Sequence, residues 1–397
     1  MNKKIALFSI FWCINLFFIL IYKENYFSFN IHTPFIWILD FIFIIYLIWS
    51  QPKEQLKYFF VIFFIFMFLK ILGSLSILNE YKDNKQFLID IIRTPINYMF
   101  PFFLYLSFKD IQKKEIIKIF NTYKYLSLLI QITILIGFIF SIHFFETYRG
   151  NRFGYSGILY PSSFSSYFII LNLMILYFYN EKISDIKYFL YFSFIVALLI
   201  GTKTVYMFLG VFILYIFVTK KLFKNRYFFI LLTVIGVSLF VFQSKLKIYF
   251  YNTFSNLIDL YNNQDVITFI FSYRNIHLRE IFDYIQNHWS FYNYLIGGIN
   301  RKQTLAEMSL IDIFFNFGIL GLIFYLGLIF LFIKNKNFSF KFFFLLLFFL
   351  TALAGNFFNT TVIAYSLVFM LLIANYKNAD LHNISKKSDH LIKKDAN

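Results

Sequence analysis

Residues 304–326 read TLAEMSLIDIFFNFGILGLIFYL, a short polar lead followed by an apolar run without alternation. A run of this kind is long enough to cross the hydrocarbon of a bilayer as a helix. Others like it recur along the chain, which is 60% hydrophobic and only 14% charged, with 62 Phe and a mean hydropathy of +0.67. Within lipid only helices and closed barrels satisfy every backbone group, and continuous rather than alternating runs exclude a barrel. The expected fold is an all-α polytopic integral membrane protein. The runs fall at roughly 5–22, 35–50, 56–73, 87–108, 123–142, 158–179, 186–201, 203–219, 227–244, 306–333, 340–355 and 358–376, about 12 transmembrane helices.

This division gives N-terminal helices over 1–142, central helices with an Arg-bearing loop over 143–244, a long loop over 245–305, C-terminal helices over 306–376 and a Lys-rich tail over 377–397. The net charge of +17 raises the question of nucleic acid, and its distribution answers it. More than half of the 37 Lys and Arg sit on the side of the two termini, in the terminal segments and in short loops such as KDIQKKEIIK and TKKLFKNR. The positive-inside rule therefore places both termini in the cytoplasm, and no nucleic-acid partner is expected. The first span lacks a small-residue cleavage site and reads as an anchor. Cys13 lies inside that span, so it carries no disulfide or metal signal.

Polar chemistry concentrates in the loops opposite the termini. In SYRNIHLREIFDYIQNHW, residues 272–289, Leu278, Ile281, Phe282, Ile285 and Trp289 form one stripe of an amphipathic helix. Arg274 falls within that stripe and is aimed at whatever the apolar face covers, so it needs an anion there. Arg279 falls on the polar side, four residues before Asp283, where an exposed ion pair suffices. In YRGNRFGYSGILYPSSFSSYF, residues 148–168, Gly150, Gly154 and Gly157 predict a mobile or tightly turned loop, and Pro161 and the serines predict a helix start. Arg152 beside such a start suits an anion such as phosphate. The competing reading has Arg149 and Arg152 snorkel to headgroups.

In GTKTVYMFLG, Lys203 sits in a tight turn at the mouth of the bundle, where it either snorkels or meets a ligand. Asp90 and Arg93, three apart near a span end, suggest a self-contained ion pair, while Asp40 and Lys70 read as lone charges that snorkel. Thr304 and Glu307 fit a capping box. Asp312 shares a polar stripe with Ser309 and Asn316, and a carboxylate within a span is a functional candidate. Gly318 and Gly321 allow close helix packing. No pair of the three loop histidines has metal-ligand spacing, so neither metal nor cofactor is expected.

The motifs RFGYSGILYPSSFSSYFIILNL, GTKTVYMFLG, YRNIHLREIFDYI, EMSLIDIFFNFGILGL and AGNFFNTTVIAYSLVFML follow one another in an order that resembles the O-antigen polymerase and O-antigen ligase superfamily. The resemblance covers the C-terminal two-thirds of the chain. It implies a GT-C-like, metal-independent glycosyltransferase, a Wzy-type polymerase at the outer face of the bacterial inner membrane. Its donor and acceptor would be polyprenyl-diphosphate-linked oligosaccharides, for O-antigen, capsule or exopolysaccharide, and its further partners a chain-length regulator and a flippase. Arg152 matches the arginine before the Pro-containing helix, and Arg274 matches that of the outer-loop helix. Lys203 stands where ligases commonly show arginine, so it would grip as a point charge, and Glu307 stands where they commonly show histidine, which favours a polymerase over a ligase. The expected diphosphate ligands are Arg152, Lys203, Arg149 and Arg93. The expected catalytic residues are Arg274 with Glu307 or Asp312 as base. A flippase is the alternative from another class, but it would carry its cations along a midplane pathway.

Overall fold

A computed structural model describes residues 3–24, 32–50, 53–80, 84–148, 153–159, 162–181, 186–221, 268, 271, 274–299, 306–353, 355, 357, 358, 360, 361 and 363–375. Among them the regular structure is helical: α1 (Lys3–Glu24), α2 (His32–Trp49), α3 (Lys53–Ser76), α4 (Asn84–Phe108), α5 (Lys113–Phe140), α6 (Ser162–Asn180), α7 (Lys187–Leu198), α8 (Lys203–Thr219), α9 (Arg274–His288), α10 (Phe291–Ile296), α11 (Ser309–Ile333), α12 (Phe338–Leu353) and α13 (Ile363–Asn375). Five helices are long and apolar enough to cross a membrane: α3, α4, α5, α6 and α11. The others set against expected spans are not all that long. The 12 residues of α7 rise about 18 Å, well short of the hydrocarbon thickness. The expected span at 227–244 lies outside the described residues.

Burial sorts the helices by neighbour. From Phe164 to Tyr179 every residue of α6 is buried, and α13 is buried through Ala374. A helix apolar all round is one that other helices surround. Around this pair the packing is aromatic: Trp12 stacks on Tyr123, Phe8 meets Tyr365 edge-on, and Phe358 meets Tyr325. The outer helices instead turn large apolar side chains outward, Phe60, Phe64 and Phe68 on α3 and Ile323 and Leu331 on α11 among them. Such stripes would be an aggregation liability in water and are the ordinary surface of a protein solvated by lipid.

Two charges expected to snorkel do not. Lys70 is 1% exposed, and its ammonium lies 2.8 Å from Asp90 Oδ2 and 3.1 Å from Asn316 Oδ1, with Ile299 O at 3.3 Å. Asp40 is fully buried and accepts from Asn15 Nδ2 at 3.2 Å. In both cases a partner far along the chain stands within reach, and reaching the interface would abandon it. Asp90, expected beside Arg93, gives one oxygen to Lys70 and the other to the Thr94 hydroxyl at 2.8 Å.

Gly318 admits close packing, as expected, but does so as a break in α11, with φ 66° and ψ −170°. A Cβ there would lie 2.2 Å from Leu295 O, at the end of α10. The segment after α10 is wedged into the break: Gly298 N donates to Phe315 O at 3.0 Å, and Trp289 Nε1 donates to Gly298 O at 2.8 Å. Lys70 holds the next carbonyl from the α3 side, so the wedge fixes α9 and α10 against the helix bundle.

Candidate functional site

The expected amphipathic helix is α9. Ile281, Ile285 and Trp289 are buried, Leu278 is half-buried, and Phe282 departs from the stripe by remaining 47% exposed. Phe282 sits at the edge of the apolar face, edge-on to Phe315 at 6.2 Å. Arg274 lies at the start of α9 with its side chain 19% exposed, and its Nη2 meets Glu307 Oε2 at 3.2 Å. Arg279 is exposed. The helical wheel therefore separates the two arginines as the chain does.

Arg274 and Glu307 share a cavity of about 280 Å³ with Lys203. Its wall takes Ser162, Ser163, Ser166 and Tyr167 from the start of α6 and Thr202 and Thr204 from the start of α8. Apolar side chains, Met207, Leu350 and Leu353, line the rest with Tyr148 and Gly355. The first turns of two helices thus open on one space. Amides of a first turn have no carbonyl four residues back, and the helix dipole adds partial positive charge there. At α8 the usual cap is diverted: Thr202 makes no side-chain cap, and its hydroxyl pairs instead with Ser166 Oγ at 2.8 Å. Cations and helix starts together make the wall suited to an anion.

The Lys203 turn is held by glycines. Gly201 has φ +73°, and a Cβ on it would lie 2.2 Å from Phe153 O. Thr147 Oγ1 donates to Ile200 O at 2.8 Å and Tyr155 N to Leu199 O at 2.8 Å, which docks the 143–159 loop on this turn. Gly154 (φ +145°) and Gly157 (φ +59°) turn its described part tightly, and Gly150 lies outside the described residues.

Glu307 is not part of a capping box. It has φ +53°, a left-handed conformation uncommon outside glycine, and α11 begins after it at Ser309 with Met308 as cap residue. Asp312 does the capping from within: Oδ1 accepts from Ala306 N at 3.1 Å and Oδ2 from Met308 N at 3.2 Å. One carboxylate thereby grips the residues on both sides of Glu307. The Glu307 carbonyl accepts from Gly355 N at 2.6 Å, and Ser309 Oγ donates to Gly355 O at 2.7 Å. Strain of this sort persists only where surrounding bonds over-determine it.

Glu307 and Asp312, equivalent candidates for a base in the sequence, are placed differently. Glu307 has its side chain 54% exposed on the cavity wall, whereas Asp312 is 1% exposed behind it and does not line the cavity. The geometry favours Glu307 over Asp312 as the base, because each Asp312 oxygen accepts from a backbone amide away from the cavity wall. Arg93, on α4, is partly buried and is also not among the lining residues. Arg149 and Arg152 lie outside the described residues. The sequence did not single out Tyr148, Tyr167, Thr202 or Gly355, though all four lie within its motifs.

Gly355→Ala probes this construction. Gly355 has φ +90°, and its Cβ would lie 2.6 Å from Tyr167 Cε2. The substitution is expected to cost about 1–3 kcal/mol, read as a lowered melting temperature of the purified protein. An unchanged melt would contradict the described contact of the 355 turn with α6.

Compared with known proteins, the chain matches no family model, no curated protein and no solved structure.

Proposed function

We propose that this chain polymerises lipid-linked oligosaccharide repeat units, transferring the growing glycan from a polyprenyl diphosphate to the next repeat unit. The observation that carries the reading is the convergence of Lys203, Arg274 and Glu307, from three separate segments, on one cavity. Two cations and two helix starts suit a diphosphate, which a planar guanidinium can hold bidentately. The apolar strip of Met207, Leu350 and Leu353 suits the prenyl chain beside it.

In the reaction the acceptor hydroxyl oxygen attacks the sugar C1 of the donor, and its proton passes to the Glu307 carboxylate. The C1–O bond breaks, with inversion, and its electron pair leaves on the diphosphate. Arg274 and Lys203 stabilise that developing charge, the kind of contribution that dominates when groups are preorganised. Asp312 serves by fixing the Glu307 backbone. The resemblance adds Arg152 and Arg149 as further diphosphate ligands and Arg93 behind them. This chemistry is metal-independent and uses no cofactor.

The reading includes a twelve-span, GT-C-like chain in a bacterial inner membrane with both termini cytoplasmic and the cavity on the outer side. The lysines support that orientation. Lys220 and Lys221 close α8, and Lys334, Lys336 and Lys341 lie where α11 ends and α12 begins. Those ends meet through Tyr215 Oη and Ser339 Oγ at 2.6 Å, away from the cavity at the start of α8. Positive charge gathers on cytoplasmic loops.

A gel of surface glycan tests the proposal, comparing a strain that lacks this gene with one in which it is restored. Loss of long chains while single repeat units still reach the surface is the expected result. Long chains retained on carrier lipid would make the protein a ligase instead. Repeat units trapped in the cytoplasm would make it a flippase.

A further inference from the structure

Arg274 already has an anionic partner, and that partner belongs to the protein. We infer that Glu307 is a built-in competitor for the anion site: its carboxylate occupies Arg274 while the cavity is empty and is displaced when a diphosphate binds. The inference rests on the anion-binding reading above and concerns the regulation of the same site.

The geometry separates what can move from what cannot. The backbone at 307 is pinned on three sides, by the two Asp312 bonds to Ala306 and Met308 and by Gly355 N on the Glu307 carbonyl. Among the described residues the carboxylate has a single ion-pair contact, 3.2 Å to Nη2 of Arg274, and its side chain is 54% exposed. Breaking that contact therefore costs little, and swinging the side chain aside needs no backbone change. Arg274 has unused capacity as well: its Nε is buried, and among the described residues it has no hydrogen-bond partner. A guanidinium offers five donors in a fixed fork, so a diphosphate can make bonds that a single carboxylate oxygen does not.

The consequence for a transferase is an order of events. While the cavity is empty, the Glu307 carboxylate is engaged by the Arg274 guanidinium. Once a diphosphate takes Arg274, the carboxylate is released at the cavity wall, where it can accept a proton from an incoming hydroxyl. Donor binding thus arms the base, and an acceptor arriving first meets a base still engaged.

The test uses the full chain in lipid nanodiscs and inorganic pyrophosphate, titrated calorimetrically. Glu307→Gln removes the competing charge and should bind pyrophosphate about fivefold tighter than the natural protein, the factor corresponding to about 1 kcal/mol for a partly exposed ion pair. Arg274→Gln should bind more weakly through Lys203 alone. In that background Glu307→Gln should bring no gain, because there is no guanidinium left to release; Glu307→Ala should repeat both results. An equal gain with and without Arg274 would mean that Glu307 merely repels anions, which overturns the competition. An absence of gain when Arg274 is present overturns it too, while leaving the anion site standing. If neither the natural protein nor Glu307→Gln binds pyrophosphate, the anion-binding reading itself fails, and the competition with it.

Discussion

Arg274→Ala is expected to lower chain elongation by about 10²–10³-fold, the loss that follows removal of a preorganised donor to developing charge, while the protein still folds and inserts. Arg279→Ala, five residues along α9, should leave elongation within about threefold, as expected for an exposed surface charge. Both arginines belong to the same helix and carry the same charge. They differ in where the helix aims them: Arg274 lines the cavity with its side chain 19% exposed, and Arg279 is exposed to solvent. The contrast is read as glycan length produced in cells at matched protein level. Equal losses from the two substitutions would reduce Arg274 to part of a general positive surface.

The second large effect is one of stability. Asp90→Ala should destabilise the protein by about 3–5 kcal/mol, because it leaves the Lys70 ammonium buried without its carboxylate. The pair is nearly sealed, with side chains 1% and 9% exposed at 2.8 Å. Replacing both partners with apolar residues, Lys70→Met with Asp90→Leu, should recover most of the loss, since the cost comes from a stranded charge rather than from a missing attraction. Melting of the purified protein reads both. The double replacement has a further use: Lys70 also holds Ile299 O and Asn316 in the wedge that fixes α9 and α10. Recovered stability with lost elongation would show that this grip on the outer segments matters beyond folding.

Local pattern made much of the architecture legible. Continuous apolar runs place α1 to α8 and α11 to α13 to within about five residues, except that α5 begins at Lys113, ahead of the expected 123, because a helix in lipid must carry its own hydrogen bonds. The wheel separates Arg274 from Arg279 because both lie on one regular helix, and a period fixes their faces. What escaped the sequence depends on partners distant along the chain. Lys70 and Asp40 resemble snorkelling charges until Asp90, Asn316 and Asn15 stand beside them. Gly318 looks like any small residue at a helix contact, and it is a break because α10 is driven into α11 at that point. Glu307 fits a capping box as a pattern, yet Asp312 five residues later takes the amides on either side of it. A turn that bends backward through a left-handed residue has no periodicity for a pattern to catch. The cavity is legible only in part for the same reason: its charged members announce themselves, while Thr202, Tyr167 and Gly355 gain meaning from the packing of α6, α8 and the 355 turn.

The central claim is that this cavity transfers glycan from a lipid diphosphate, and the most direct measurement is reconstitution. The purified protein in nanodiscs would be given a polyprenyl-diphosphate-linked repeat unit as both donor and acceptor, without added metal, and the products weighed by mass spectrometry. The account predicts lipid-linked products of two, three and more repeat units, with one free polyprenyl diphosphate released for each bond formed. Substrate returned unchanged, or transported across a membrane without any new glycosidic bond, would contradict it.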